Sequence, residues 1–394
     1  MILIFLYIFR TGRRPVRPKG TPGRLRRLSG KEVEVLFGLE ERILDTKRDL
    51  EERAALLASR DLAVPGGEDL VLGFFRDDRL VATGALVGNI LQGIAVTREM
   101  EGEGAAAAVT SALLKKAVER GMRKVFLYSK PQEARLFREL GFSLLAEAAE
   151  RSGLAASLLE WGTEGIESWK ARMAKIAEGK PAGAGAVVVN CNTFTLGHRR
   201  LLEHAAGASP WLYVLVVQED RSLFPFDVRL HLVREGAADL ANVTVLTGGP
   251  YVISSATFPS YFTRVPAGGD PRKITELYAA LDLEMFRLHV APALGVAVRY
   301  VGTEPYCPVT SVYNDLMKRI LPAGGEECPP VEVREIPRFE MAGRPVSASR
   351  VRELIREGRL AEAAALVPKT TAKWLKSEEA APVLERIRTS GSRH

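Results

Sequence analysis

The 394-residue sequence is short of cysteine, and the few it has are badly placed for each other. Cys191, Cys307 and Cys328 are far apart, odd in number and form no C-x-x-C pair, which excludes a disulfide framework and a zinc knuckle. A cytoplasmic protein is the resulting expectation. No long apolar run is present: residues 1–9 form an apolar stretch too short to span a bilayer. Charges follow that stretch rather than precede it, and no small-residue cleavage site ends it, so neither a secretory signal nor a membrane partner is expected. Internal repeats and long low-complexity segments are also missing. Acidic residues are absent from residues 1–31, which hold nine lysines and arginines. Without those nine, the net charge of +7 becomes −2. The basicity therefore belongs to a tail, expected to be disordered, and gives no reason to expect a nucleic-acid partner.

What is present is a folding composition, 46% apolar and 26% charged, long enough for two or three domains. Residues 32–160 alternate strand and helix patterns. Residues 33–37, 70–75, 80–83, 90–96, 124–128 and 142–145 read as strands, and residues 39–57, 104–120 and 131–140 as helices. Residues 161–185 are expected as a linker, with a helical pattern at 166–177 and a small-residue stretch after it. From residue 186 strands and helices alternate again to about residue 365. That pattern predicts a second α/β domain with a parallel, Rossmann-like sheet. Residues 366–394 are left as a C-terminal extension.

The chemistry concentrates in residues 187–200. An apolar strand ends at Asn190, a loop follows, and a helix opens near Gly197. An open α/β sheet places ligands at the carboxyl ends of its strands. A helix start offers free N–H groups and a positive dipole end to phosphate. Gly197 would let the backbone approach a phosphate, His198 would aim an imidazole N–H at phosphoryl oxygens, and Thr195 would add a hydroxyl. Taken alone, this stretch is better read as packing. Residues 345–352 (PVSASRVR) add a second helix start, with Ser347 and Ser349 before it and Ser349 as a good N-cap. Arg350 and Arg352 in the first turns oppose the dipole, a conflict that an anionic ligand would remove. Two such helix starts in one domain suggest a nucleoside triphosphate.

The pair T-x-G-H and S-x-S-x-x-R resembles the signature of the HxGH nucleotidyltransferase superfamily, with Thr195 where many members carry the first histidine. Residues 190–198 (NCNTFTLGH), 217–226 (VQEDRSLFPF), 253–261 (ISSATFPSY) and 302–310 (GTEPYCPVT) together resemble the [citrate (pro-3S)-lyase] ligase family, over about residues 33–365. The resemblance implies an enzyme that uses ATP and acetate. It would adenylylate acetate and acetylate the phosphoribosyl-dephospho-CoA thiol on the acyl-carrier subunit of citrate lyase, releasing AMP and pyrophosphate. It implies His198 and Thr195 as catalytic residues. Asn192, Gly197, Arg199, Ser347, Ser349 and Arg352 become ATP-binding residues on the same basis. Mg²⁺ is expected with the triphosphate; Glu219 and Asp220 are candidates for it, or a solvated acidic turn. His204 lies on another helix face from His198 and reads as packing.

Residues 94–106 (IAVTREMEGEGAA) resemble the acyl-CoA loop of GNAT acetyltransferases, and residues 137–142 (FRELGF) the later helix–turn–strand of that fold. Gly102, Gly104 and Ala106 fit that loop and are assigned to a CoA-like arm. Glu99, Glu101 and Glu103 do not fit, because carboxylates repel a pyrophosphate. A GNAT-like domain that binds the arm or the carrier, or serves as a structural partner, is expected rather than an active acetyltransferase. Two other readings stay open: an adenylyltransferase of a phosphorylated small molecule, and a non-catalytic nucleotide-binding module.

Overall fold

The computed structural model describes residues 35–36, 38–150, 153–258, 270–304, 307–325 and 328–390. The basic tail and Ser260 of the 253–261 stretch lie outside them. The first half is built from β1 (Val35–Leu36), β2 (Leu39–Ile43), α1 (Lys47–Ser59), β3 (Leu70–Arg76), β4 (Arg79–Val87), β5 (Ile90–Val96), α2 (Ala105–Glu119), β6 (Lys124–Ser129), α3 (Ala134–Glu139), β7 (Ser143–Ala149) and β8 (Ala155–Gly162). These eight strands form one mixed sheet in the order β1-β2-β3-β4-β5-β6-β8-β7. Only β5 and β6 are parallel neighbours, and they pair through just Ile90–Phe126 and Leu91–Leu127 before parting. Gly84 on β4 lets α2 sit close: a Cβ there would lie 2.6 Å from Val109 and 2.8 Å from Leu113.

Two sequence expectations change here. The predicted helix over 39–57 divides into β2 and α1. Thr46 caps α1, its hydroxyl accepting from Asp49 N at 3.2 Å, while β2 is held in the sheet by pairing with β3. The sequence pattern does not predict strand β8. It enters between β6 and β7, so its pairing is long-range and its small and apolar residues give little local signal.

The chain then forms α4 (Ile166–Ala177), β9 (Ala184–Val189), α5 (Leu196–Gly207), β10 (Leu212–Val216), α6 (Phe226–Ala237), β11 (Val243–Thr247), α7 (Pro271–Met285), α8 (Ala291–Leu294), β12 (Val296–Gly302), α9 (Pro308–Ile320) and β13 (Glu332–Ile336). After a small hairpin, β14 (Glu340–Met341) and β15 (Arg344–Pro345), come α10 (Ala348–Arg356), α11 (Leu360–Ala365), α12 (Lys369–Leu375) and α13 (Ala381–Thr389). The five strands β11-β10-β9-β12-β13 are all parallel. The order reverses between β9 and β12, which opens a crevice at their carboxyl ends.

The stretch expected as a linker is folded. Its helix α4 buries Ile166, Trp169 and Met173 in a core shared by both sheets, with Phe126 and Leu158 on one side and Tyr213 and Leu215 on the other. Polar contacts cross the same junction: Tyr128 donates to the Ala256 carbonyl, and His289 Nε2 lies 2.7 Å from the Leu145 carbonyl. The opposite face of the parallel sheet is covered by α5, α6 and the C-terminal helices. Trp374, Leu375, Val383, Leu384 and Ile387, all beyond residue 365, are buried there with Val187 and Val214. Among the described residues, no helix is long and apolar enough to cross a membrane.

Candidate active site

The loop leaving β9 and the start of α5 lie at the crevice. Thr195 is the N-cap of α5, and its hydroxyl accepts from His198 N at 3.4 Å. In return, His198 Nδ1 accepts from Thr195 N at 3.1 Å and lies 2.9 Å from the Thr195 hydroxyl. An imidazole that accepts at Nδ1 carries its proton on Nε2, so this reciprocal cap leaves Nε2–H as a donor. The ring stacks on Phe194, with centroids 6.1 Å apart. Burial, Arg338 and Arg352 push the His198 pKa down to about 4, so the ring is neutral at physiological pH.

The second helix start is brought to the first. Val346 lies against Gly197: a Cβ on the glycine would lie 2.8 Å from the Val346 carbonyl oxygen. The glycine expected to admit a phosphate thus also admits the backbone that leads into α10. Ser347, not Ser349, caps α10, accepting from Arg350 N at 3.2 Å. The β14–β15 hairpin feeds the chain into α10 at Ser347, leaving Ser349 inside the first turn, where it accepts from Arg352 at 3.2 Å. Arg352 is buried and donates to the Asn192 carbonyl, while Asn192 Oδ1 accepts from Phe224 N at 3.1 Å. Thr195, Gly197, His198, Asn192, Ser347, Ser349 and Arg352 therefore converge.

Arg199 does not join them. Its guanidinium is committed to Glu203 at 2.8 Å, the Gly236 carbonyl at 2.6 Å and Asp239 at 2.5 and 2.7 Å. It sits one residue past His198, on the side of α5 facing the end of α6. Arg350 is likewise taken, by Glu353 at 2.6 Å. Two arginines escaped the sequence reading. Arg338, just past β13, acts electrostatically on His198 and is held by the Thr303 carbonyl at 3.0 Å and by Glu304. Its position past a strand end was the available signal. Arg229 is fully buried on α6 and donates to Asn190 Oδ1 (2.9 Å) and to the carbonyls of Asn190 (3.0 Å), Val217 (2.7 Å), Glu219 (2.8 Å) and Phe224 (3.0 Å). It ties the loops after β9 and β10 together. Nothing local in the sequence marks it.

The carboxylates considered for a metal have other partners. Glu219 accepts from Ser255 N at 2.8 Å and pairs with Arg221, and Asp220 accepts from Phe226 N at 3.0 Å. Among the described residues no group of three or more His, Cys, Asp or Glu could hold a metal ion. Glu219 and Asp220 are thus already engaged by backbone N–H groups and Arg221, and the described residues offer no larger carboxylate cage around them. His204 packs edge-on against Tyr300, and the buried Cys191 has its thiol pKa raised by burial, so neither is poised for chemistry.

In the first half, Gly102 and Gly104 adopt positive φ (79° and 80°), and Gly104 is the N-cap of α2, whose first turn contains Ala106. The loop lies past the carboxyl end of β5, where β5 and β6 have parted. Glu101 is paired with Arg60 at 2.5 Å, which offsets part of the repulsion expected there.

Residues 184–375 match the family described as the citrate lyase ligase C-terminal domain. Over nearly the whole length, the chain is 37% identical to the [citrate [pro-3S]-lyase] ligase of Escherichia coli, covering 84% of this chain and 91% of that one. It is 42% identical to the ligase of Klebsiella pneumoniae, over 75% of this chain and 84% of that one. Among solved structures, Escherichia coli ElaA is 14% identical, with a TM-score of 0.28, covering 31% of this chain and 98% of that one. The ribosomal-protein-S18-alanine N-acetyltransferase of Escherichia coli is 16% identical, with a TM-score of 0.26 over 31% of this chain and 93% of that one. With 37% identity across nine-tenths of a curated relative, and its family match at residues 184–375 lying over the helix starts described above, the chain belongs to the [citrate (pro-3S)-lyase] ligase family.

Proposed function

We propose that the protein activates citrate lyase by acetylating the thiol arm of its acyl-carrier subunit, and that the crevice at α5 and α10 carries the adenylylation half of that reaction. ATP and acetate are the substrates. An acetate oxygen attacks the α-phosphorus of ATP, the bond from that phosphorus to pyrophosphate breaks, and acetyl-adenylate forms. The arm's sulfur then attacks the acetyl carbon, the carbon–oxygen bond to AMP breaks, and the thiol proton passes to solvent. The observation that carries the reading is the meeting of two capped helix starts, with His198 Nε2–H and Arg352 beside them.

Each residue has a role in this reading. The N–H groups at the start of α5 and Ser349 receive phosphate oxygens. Thr195 fixes the His198 tautomer, and His198 donates to the oxygens on which charge grows as pyrophosphate leaves. Arg352 and Asn192 hold the β9 loop to α10, and Arg338 adds positive charge. Arg199 braces α5 against α6. Mg²⁺ would come with the triphosphate and offset its charge during transfer, and no residue of this chain is assigned to hold it.

Acetate-dependent exchange of labelled pyrophosphate into ATP tests the reading, because it needs no acceptor thiol. Exchange that requires acetate supports it. Exchange driven instead by a phosphorylated acceptor, without acetate, would transfer the site to the adenylyltransferase reading.

A further inference from the structure

A cavity of about 850 Å³ lies not at His198 but between the two halves. One wall is the turn and strand starts of the first sheet, including Gly88, Ile90 and Lys124; the other is Gln218–Arg221 and the turn at Gly249–Ala256, past the carboxyl ends of β10 and β11. Arg229 and the Asn190–Ser222 bond (3.2 Å) tie that second wall to the loop carrying Asn192 and Thr195. The cavity therefore opens beside the adenylylation crevice on the same sheet end.

Its polar groups are unequally satisfied. Tyr251 accepts from Lys124 Nζ at 2.5 Å and donates to Glu160 at 2.6 Å, a chain crossing from one half to the other. Ser254 and Thr257 are consumed by their own turn, with Ser254 accepting from Ala256 N and Thr257 N at 3.1 Å. Ser255 is different: its Oγ is buried and has no partner. A buried hydroxyl without a partner is costly unless a ligand completes it. Arg172 is an exposed cation on the wall, with no ion pair among the described residues. Of the wall's acids, Glu219 and Asp220 are turned to the N–H groups of Ser255 and Phe226, while Glu164 stands near Lys124.

We infer that this interdomain cavity, resting on the function proposed above, receives the acceptor arm: an extended amide chain with a thiol at one end and phosphate at the other. Ser255 Oγ meets an amide of the arm, Arg172 meets its phosphate, and the thiol points past Gln218 toward the adenylate. The loop holding Gly102, Gly104 and Ala106 lies at the other end of β5, away from this cavity.

Calorimetric titration of the full-length protein with dephospho-CoA tests this. Ser255→Ala weakens binding severalfold, while its melting temperature stays at or above native because the lost hydroxyl had no protein partner. Arg172→Glu weakens binding by about tenfold or more, the effect of losing a charge-assisted hydrogen bond. Native protein that fails to bind, or two variants that bind as native does, overturns the inference. So does Ala106→Asp abolishing binding while the cavity variants retain it. Binding that responds to both cavity variants, in a protein without acetate-dependent exchange, upholds the cavity and removes the proposed reaction.

Discussion

At the scale of single residues, His198 joins a structural task to the chemical one proposed for it. Its Nδ1 closes the cap of α5, which leaves Nε2–H as a donor. A donor that strengthens its bond as charge grows on the leaving group lowers the barrier, whereas equal binding of both states does not. His198→Ala should therefore lose ~10²–10³ in acetate-dependent exchange, roughly 3–4 kcal/mol, with a much smaller change in ATP affinity. Near-native exchange would make His198 a capping residue only. Its protonation also leaves a mark on stability. The folded pKa lies near 4 against 6.5 for a free histidine, so between those values the unfolded chain binds more protons. This contribution is fully present above pH 6.5 and is lost as pH falls toward 4. Melting temperatures recorded from pH 7.5 to 4.5 should fall less steeply for His198→Asn than for the native protein. Parallel slopes would count against a neutral ring.

At the scale of elements, the meeting of α5 and α10 depends on the absence of one methyl group. Gly197→Ala would drive a Cβ against the Val346 carbonyl, a backbone atom that cannot rotate away. Overpacking of this kind costs about 1–3 kcal/mol, and here it also parts Ser347 from Thr195. A thermal melt and an exchange assay on Gly197→Ala should both decline; a variant unchanged in both would show that α10 adjusts freely. The two helix starts were legible in the sequence because caps, glycine and charge against the dipole are local signals. Which serine caps α10 was not legible, since Ser347 and Ser349 are chemically alike and the preceding hairpin decides. Strand β8 and the split of 39–57 into β2 and α1 were hidden for the same reason: pairing with distant strands outweighs local pattern. Arg229 is the sharpest case, a charge buried among carbonyls from four separate positions that only the folded chain assembles.

At the scale of the molecule, the two halves share an apolar core, with α4 as its central piece. Trp169 packs edge-on against Tyr251, 5.6 Å between centroids, and lies directly over Gly249. Trp169→Ala should cost about 3–5 kcal/mol, the range for a large buried side chain. Removing the Arg319–Glu150 pair, half-exposed on its arginine side, should cost about 1 kcal/mol or less. Chemical denaturation of the two variants separates these magnitudes. Calorimetry of the native protein should give one unfolding transition, and two well-separated transitions would show that the shared core is not cooperative.

The bond from Leu196 N to the Leu366 carbonyl, 3.0 Å long, has a consequence for how the protein comes into being. It fastens the first residue of α5 to the segment just before α12, and α12 and α13 then close over the same face of the sheet. The chain is made from its N-terminus, so β9 and α5 emerge long before the residues that cover them. A nascent chain halted at residue 365 would present Val187, Val214 and Leu202 to water. Synthesis stopped at that residue should yield aggregated or degraded product instead of a shortened enzyme, which fractionation of expressed protein would reveal. Helices α12 and α13 thus tie the fold around the start of α5 to residues translated long after it.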